Sequence, residues 1–229
     1  MSGGLTPEQE ADIRSYVDNP DLAAAKWKTY QGEKWAERNP KAVAETDKSW
    51  AARYGILKSY AARDALRSVP RTGKWLELGC AAGAHLELMA YVGFTDLVGF
   101  DISLPPLKLH RWPRVQADAL CLPFASGAFD GICMSGSLMH CGPDQRMRDT
   151  WHEIDRVARR WWFMMELWGW ELQLVSFGEL LPPAWLCPWD RELPKELPHW
   201  EVRYHKVYDL VREPSRRAPM CVTLLERTG

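Results

Sequence analysis

The spacing of apolar residues changes near residue 70 and divides the chain into a helical part and a mixed part. Before that point apolar positions recur at helical intervals, and Asn19-Pro20 and Asn39-Pro40 end two successive predicted helices. A third predicted helix covers residues 41–67. Because no flexible linker follows, the pattern predicts that residues 1–70 form a helical N-terminal cover packed on residues 71–229, as one folded unit.

The middle of the chain alternates short apolar runs with amphipathic stretches. Residues 84–92 repeat apolar positions with helical spacing, and a further helix opens at Pro143 with an apolar face opposite a charged one. This alternation predicts a Rossmann-like, doubly wound α/β fold with a mainly parallel sheet and right-handed crossovers. The predicted strands are residues 75–78, 96–101, 115–118, 129–135 and 161–167.

The C-terminal part has a less regular pattern. Residues 170–181 are predicted as a helix, and a proline-rich stretch after it predicts a loop, so we interpret residues 169–200 as a flap. Residues 200–208 and 220–226 are predicted as two final strands that close the sheet, with an antiparallel closing strand.

Composition excludes several classes of protein. With 29 basic and 30 acidic residues, the net charge of −1 gives no reason to expect a nucleic acid partner. No apolar run approaches the roughly 18 residues of a membrane span, and the amino terminus lacks a secretion signal, so a cytoplasmic location is predicted. The six cysteines form no Cys-x-x-Cys pair, which argues against a disulfide framework and a metal site. The 13 tryptophans have no evident explanation at this stage.

Three acids stand at the ends of successive predicted strands. Glu77 lies on the first strand, just before the small-residue turn 79–83, while Asp101 and Asp118 end the second and third. Because the carboxyl ends of parallel strands line one crevice, these acids should converge on one elongated ligand with hydroxyl and amino groups. The turn lacks the Gly-x-Gly-x-x-Gly fingerprint, which makes dinucleotide binding a distant alternative.

These segments resemble the class I S-adenosylmethionine-dependent methyltransferases, in particular their small-molecule, type 11-like branch. Glu77-Leu78-Gly79-Cys80-Ala81-Ala82-Gly83 is similar to the first motif of that family, Asp101-Ile102-Ser103 to the second, and Ala117-Asp118-Ala119 with Leu122-Pro123-Phe124 and Phe129-Asp130 to the third and fourth. The resemblance implies S-adenosylmethionine as cofactor and S-adenosylhomocysteine as product. Its implied cofactor-binding residues are Glu77, Gly79, Cys80, Ala81 and Gly83 toward the methionine end, Asp101 at the ribose, Asp118, Ile102 and Ala119 at the adenine, and Ser135.

The chain departs from the family pattern at Ala81, which replaces the middle glycine of the first motif. We expect a methyl group to be tolerated there only if the backbone φ stays negative.

The acceptor of the methyl group is expected at residues 135–141, after the fourth strand. His140 is the candidate general base, since an unperturbed imidazole titrates near pH ~6.5. The alternative is that His140 caps the helix that opens at Pro143, and Cys141 as a nucleophile is a further one. Aromatic residues of the cover and the flap are candidates to enclose the acceptor, although core packing explains them equally well: Trp27, Tyr30, Trp50, Tyr54, Trp185 and Trp189.

We therefore predict a methyltransferase that acts on a small molecule. A catalytically silent S-adenosylmethionine-binding partner protein is the alternative. A nucleic-acid methyltransferase is less favoured, because Ser135-Gly136-Ser137-Leu138 stands where amino-directed DNA methyltransferases carry Asn/Asp-Pro-Pro-Tyr/Phe. The acceptor's identity and the oligomeric state stay open.

Overall fold

The structure is a computed structural model. It describes Pro7, Ala11, Ala25 and residues 56–109, 111–141, 145–175, 184–209 and 219–229. The first two predicted helices, the start of the third, and the aromatic residues of the cover named above lie outside the described residues.

A seven-stranded sheet forms the centre of the described molecule, in the order β3-β2-β1-β4-β5-β9-β8. Strands β1 to β5 are parallel, and β9 pairs antiparallel with β5 on one side and with β8 on the other. The predicted mainly parallel sheet with an antiparallel closing strand is confirmed. The seven strands are β1 (Lys74–Leu78), β2 (Asp96–Asp101), β3 (Arg114–Gln116), β4 (Phe129–Ser135), β5 (Ala158–Leu167), β8 (Trp200–Asp209) and β9 (Pro219–Arg227).

Helices lie in the connections between these strands. The crossover from β2 to β3 is short and contains a four-residue helix that includes Pro105 and Pro106. A 3₁₀ helix (Leu138–His140) follows β4 directly. The α-helices are α1 (Ile56–Ala65), α2 (Ala84–Tyr91), α3 (Leu104–Leu107), α4 (Gln145–Val157) and α5 (Trp189–Glu196).

The flap differs from its prediction. Of the predicted helix over residues 170–181, only residues 170–175 are described, and they contain strand β6 (Gln173–Val175), which pairs antiparallel with β7 (Ala184–Leu186). The proline-rich stretch contains helix α5, although Pro194 lies inside it. Trp189 and Leu193 are both 0% exposed, and their tertiary packing stabilises the helix although it contains a proline.

Two apolar layers cover the two faces of the sheet. Because side chains alternate along a strand, Leu76 of β1 joins one layer and Trp75 joins the other. The second layer also holds Ala62 and Leu66, from α1 and the turn after it, so the described end of the cover packs directly on the core. No helix within the described residues is long and apolar enough to cross a membrane.

The core accounts for much of the tryptophan content. Two pairs pack edge to face, Trp151 with Trp189 at 6.2 Å and Trp162 with Trp200 at 5.7 Å between ring centroids. Large aromatic rings fill the space between helices and sheet, which explains an excess that composition alone leaves without a reason. The buried tryptophans are Trp75, Trp151, Trp161, Trp162, Trp168, Trp189 and Trp200.

Candidate functional site

The turn after β1 brings its backbone against the end of β4. Gly79 has φ +64°, and a Cβ atom built on it would lie only 2.2 Å from Oγ of Ser137. The Ser137 hydroxyl instead donates a hydrogen bond to the Leu78 carbonyl oxygen at 3.0 Å. Gly83 ends the turn and caps helix α2. Glycine at 79 therefore allows the turn and the segment after β4 to approach each other.

Asp101 fixes the conformation of this turn. Its Oδ2 accepts the backbone N–H of Ala81 at 2.8 Å, and its Oδ1 accepts the backbone N–H of Ser103 at 2.8 Å. Ala81 has φ 46°, so the expectation of a negative φ is wrong. The hydrogen bond that the Ala81 N–H donates to Asp101 supplies the reason, because it holds the Ala81 backbone in the left-handed region that alanine otherwise avoids.

Replacing Ala81 by glycine should leave the unfolding free energy unchanged or raise it by up to about 1 kcal/mol. A left-handed backbone costs alanine about 1–2 kcal/mol, and the greater freedom of glycine in the unfolded chain offsets about 0.4–1 kcal/mol of the relief. Ala90→Gly within helix α2 is the control, expected to cost about 0.5–1 kcal/mol. Urea denaturation measures both, and equal losses would contradict a strained Ala81.

Glu77 is a buried carboxylate beneath the start of helix α2, 1% exposed. Its Oε1 lies 3.3 Å from Nδ1 of His85, whereas its Oε2 is buried without a hydrogen-bond partner among the described residues. Burial raises the pKa of Glu77 well above its usual range, the Leu86 backbone N–H lowers it, and the charge of Asp101 raises it further. This carboxylate therefore has an acceptor oxygen that a cationic ligand group could satisfy.

Asp118 lies in the loop after β3 and is partly accessible, with 30% of its side chain exposed. Its Oδ1 accepts the backbone N–H of Leu120 at 3.1 Å, and its Oδ2 lies 3.5 Å from the guanidinium of Arg146 on α4. Ile102 and Ala119 are half-buried beside these two strand ends. The predicted adenine-side residues thus all lie just beyond β2 and β3.

The segment after β4 is held by a residue that the sequence did not reveal as part of the site. Glu166, 0% exposed on β5, accepts the backbone N–H groups of Ser137 at 3.0 Å, Leu138 at 3.2 Å and Met139 at 3.3 Å. Ser135 ends β4, and the half-buried His140 ends the 3₁₀ helix that Glu166 holds. The only sequence signal for Glu166 is one acid within the apolar run 161–167.

The structure does not favour the roles considered for Cys141 as a nucleophile and for Trp189 at the acceptor. Burial raises the pKa of the Cys141 thiol to about 12, with the charge of Glu166 as the next cause, which keeps it protonated at neutral pH and disfavours a nucleophile. Trp189 is fully buried and donates to the Leu167 carbonyl oxygen, so it is a core residue and does not enclose an acceptor. Pro143, the start of the predicted helix that His140 was to cap, lies outside the described residues. Within the described parts of the chain no group of His, Cys, Asp and Glu could hold a metal ion.

The structure thus brings the predicted residues to one edge of the sheet. Glu77 lies near the end of β1 and the turn follows that strand, while Asp101 ends β2 and Ile102 follows it. Asp118 and Ala119 follow β3, and Ser135 ends β4, with His140 after it. This is the carboxyl edge of parallel strands, where open α/β sheets bind their ligands.

Comparisons with known proteins agree with this geometry. Residues 76–160 match the family described as "Methyltransferase domain". Malonyl-[acyl-carrier protein] O-methyltransferase of Legionella pneumophila is 33% identical over 101 residues, which are 40% of this chain and 34% of that protein. The chain therefore matches only about a third of the length of this curated relative.

Solved structures share the fold. A methyltransferase of Methanosarcina mazei described as SAM-dependent has a TM-score of 0.57 at 18% identity, over 71% of this chain and 95% of that one. The 1,6-didemethyltoxoflavin-N1-methyltransferase of Burkholderia thailandensis, with bound 1,6-didemethyltoxoflavin and S-adenosylhomocysteine, has a TM-score of 0.60 at 15% identity, over 100% of this chain and 94% of that one. The predicted family, enzyme class and cofactor are confirmed at the level of the domain. Residues 76–160 thus match a methyltransferase domain, and the described fold is shared with S-adenosylmethionine-dependent methyltransferases of known structure.

Proposed function

We propose that this chain transfers a methyl group from S-adenosylmethionine to a small-molecule acceptor bound beyond the end of β4. The observation that carries the proposal is the buried Oε2 of Glu77, which has no hydrogen-bond partner in the described part of the chain and lies next to the turn from Gly79 to Gly83. The amino group of the cofactor fits this acceptor because an ammonium beside a buried carboxylate satisfies both groups.

Each part of the cofactor has a matching group in this arrangement. Glu77 and the turn from Gly79 to Gly83 would hold the methionine end. Asp101 would accept hydrogen bonds from the ribose hydroxyls, since a carboxylate offers about four acceptor sites and the backbone N–H groups of Ala81, Ile102 and Ser103 do not fill them. Asp118 would accept from the adenine amino group, and Ile102 with Ala119 would flank the ring.

The residues after β4 would orient the acceptor and remove its proton. When bound, S-adenosylmethionine supplies a methyl group already activated by its sulfonium, so catalysis rests mainly on in-line positioning. The acceptor's lone pair forms the new bond to the methyl carbon as the bond from sulfur to that carbon breaks and sulfur keeps its electrons. For a hydroxyl or amine acceptor, His140 would take the proton that is lost.

Carboxylates are one acceptor class worth testing. The name of the Legionella relative indicates that it O-methylates malonyl-[acyl-carrier protein], and 101 of its residues align with this chain. A carboxylate carries no proton at neutral pH and needs no base. Carboxylates should therefore be compared with phenols and amines.

Two alternatives make different predictions. A catalytically silent binding protein would bind S-adenosylmethionine and methylate nothing, and a nucleic-acid methyltransferase would act on oligonucleotides. The nearly balanced charge supports neither obligatory nucleic acid binding nor a polyanionic partner. The cytoplasmic location inferred from the sequence belongs to the same proposal.

The test combines binding and turnover. Calorimetry with S-adenosylmethionine and S-adenosylhomocysteine should show binding, and methyl-labelled cofactor with a panel of carboxylates, phenols, amines and a duplex oligonucleotide should give labelled small molecules only. Binding without label transfer to any member of the panel would favour the silent protein. Absence of binding would overturn both ideas.

A further inference from the structure

We propose that Glu166 is a positioning residue that holds the acceptor-side segment, Ser137 to His140, in its active geometry. The proposal rests on the proposed function, because it assigns a purpose to a segment placed at the methyl acceptor. Glu166 is a buried acid of β5 that has no role in the proposed cofactor binding.

Three hydrogen bonds join the side chain of Glu166 to the acceptor-side segment. Its two carboxylate oxygens accept three consecutive backbone N–H groups, those of residues 137, 138 and 139. These are donors at the start of a short 3₁₀ helix, where the helix itself supplies no acceptor. A fully buried carboxylate is costly unless it is well hydrogen-bonded, so the segment and the acid stabilise each other.

A second set of contacts ties the same segment to the cofactor side. The Gly136 N–H donates to the Met165 carbonyl oxygen at 3.0 Å, and the Ser137 hydroxyl donates to the Leu78 carbonyl oxygen at the start of the glycine turn. Three strand ends, those of β1, β4 and β5, are thereby joined through one short segment. Any shift of this segment moves His140 relative to the turn.

The positioning role has a mechanistic consequence. In-line methyl transfer requires the acceptor and the methyl carbon to be aligned, and a displacement of about 1 Å can cost roughly 100-fold in rate. Glu166 holds the acceptor-side segment, whereas Asp101 holds the turn on the proposed cofactor side. Loss of Glu166 should therefore slow turnover while leaving cofactor affinity nearly unchanged.

Glu166→Gln tests this role, because it keeps the shape of the side chain and replaces one acceptor oxygen by a donor group. We expect kcat for the fastest acceptor of the panel to fall by about 10 to 100-fold. The dissociation constant of S-adenosylhomocysteine should stay within about threefold. Backbone amide exchange should accelerate by about tenfold or more at residues 137–139 and not in the middle of β4.

The matched control is Asp155→Asn. Asp155 is a carboxylate of α4 that accepts hydrogen bonds from His199, Trp200 and Arg227 at the opposite edge of the sheet. The Asp155→Asn variant should have a lower melting temperature, with kcat and amide exchange at residues 137–139 unchanged. If Glu166→Gln folds poorly, Glu166→Asp keeps the buried charge but shortens its reach, and the same measurements apply with smaller changes.

The outcomes separate this proposal from the proposed function. Unchanged amide exchange at residues 137–139 in both Glu166 variants would overturn the positioning role, whether or not an acceptor is known. Equal losses of kcat in Glu166→Gln and Asp155→Asn would reduce Glu166 to a general stabilising residue. Failure of the wild type to bind S-adenosylhomocysteine would instead overturn the proposed function, while accelerated exchange at the segment would still support the contact itself.

Discussion

Asp101→Ala should weaken binding of S-adenosylhomocysteine by roughly 100-fold, about 2.7 kcal/mol. Two effects combine in this loss. The variant removes the acceptors proposed for the ribose hydroxyls, and it leaves the Ala81 N–H without the carboxylate that holds it in a left-handed conformation. Titration calorimetry measures the change directly. An affinity equal to the wild type would remove Asp101 from the cofactor site.

The two effects can be separated by varying the ligand. S-adenosylhomocysteine that lacks a ribose hydroxyl should bind more weakly than the parent compound to the wild type, but equally well to Asp101→Ala if Asp101 contacts the ribose. Additive losses would indicate that Asp101 acts only through the turn, because independent contributions add.

Asp130→Ala is the matched control for the carboxylate itself. Its Oδ2 also accepts a backbone N–H, that of Lys74 at 2.8 Å, but at the amino end of β1. Cofactor affinity should be unchanged in this variant. A comparable loss there would indicate that any weakened strand end disturbs binding, and it would remove the special role of Asp101.

The cofactor side of the proposed site could be predicted from the sequence because the pattern that indicates it spans only a few residues at a time. Glu77, Asp101 and Asp118 each stand at or near the end of a short apolar run, and parallel strands bring such ends to a single edge. Only the order of strands and acids is required, and each is visible over a few residues. The three acids are accordingly placed where the pattern predicts.

Contacts between distant segments do not follow from the sequence in this way. Glu166 is 29 residues from Ser137 in the sequence. Its hydrogen-bond partners are backbone N–H groups, which nearly every residue type has, so the types of residues 137–139 do not indicate the contact. The same reason explains the error at Ala81, whose conformation depends on a carboxylate 20 residues away. Helix α5 forms because Trp189 and Leu193 are buried, a tertiary effect that outweighs the local effect of Pro194.

The loops on both sides of the proposed site therefore depend on tertiary contacts. The turn after β1 is held by Asp101, and the segment after β4 is held by Glu166, so each ligand-facing loop rests on one buried carboxylate. Asp101 holds the turn proposed to bind the cofactor, whereas Glu166 holds the segment that carries His140. Changes at the first should alter affinity, and changes at the second should alter rate.

His140→Ala should lower kcat by about 100-fold for phenol and amine acceptors while the affinity for S-adenosylhomocysteine stays unchanged. The reason is that these acceptors lose a proton during transfer, and His140 is the residue of the acceptor segment that could take it. Carboxylate acceptors have no proton to lose at neutral pH, so their rates should fall little. The ratio of the phenol rate to the carboxylate rate is thus the measurement that isolates proton removal from simple misplacement of the segment.

The control and the pH dependence complete this test. His152→Ala changes another histidine, exposed on α4 and paired with Glu196, and should leave all rates at the wild-type level. In the wild type, kcat for a phenol should decline at acid pH as the base becomes protonated, and this decline should disappear in His140→Ala. Equal losses of kcat for carboxylates and phenols would indicate that His140 only positions the acceptor. A wild-type rate in His140→Ala would indicate that solvent takes the proton and that the protein contributes only alignment of the acceptor with the methyl group.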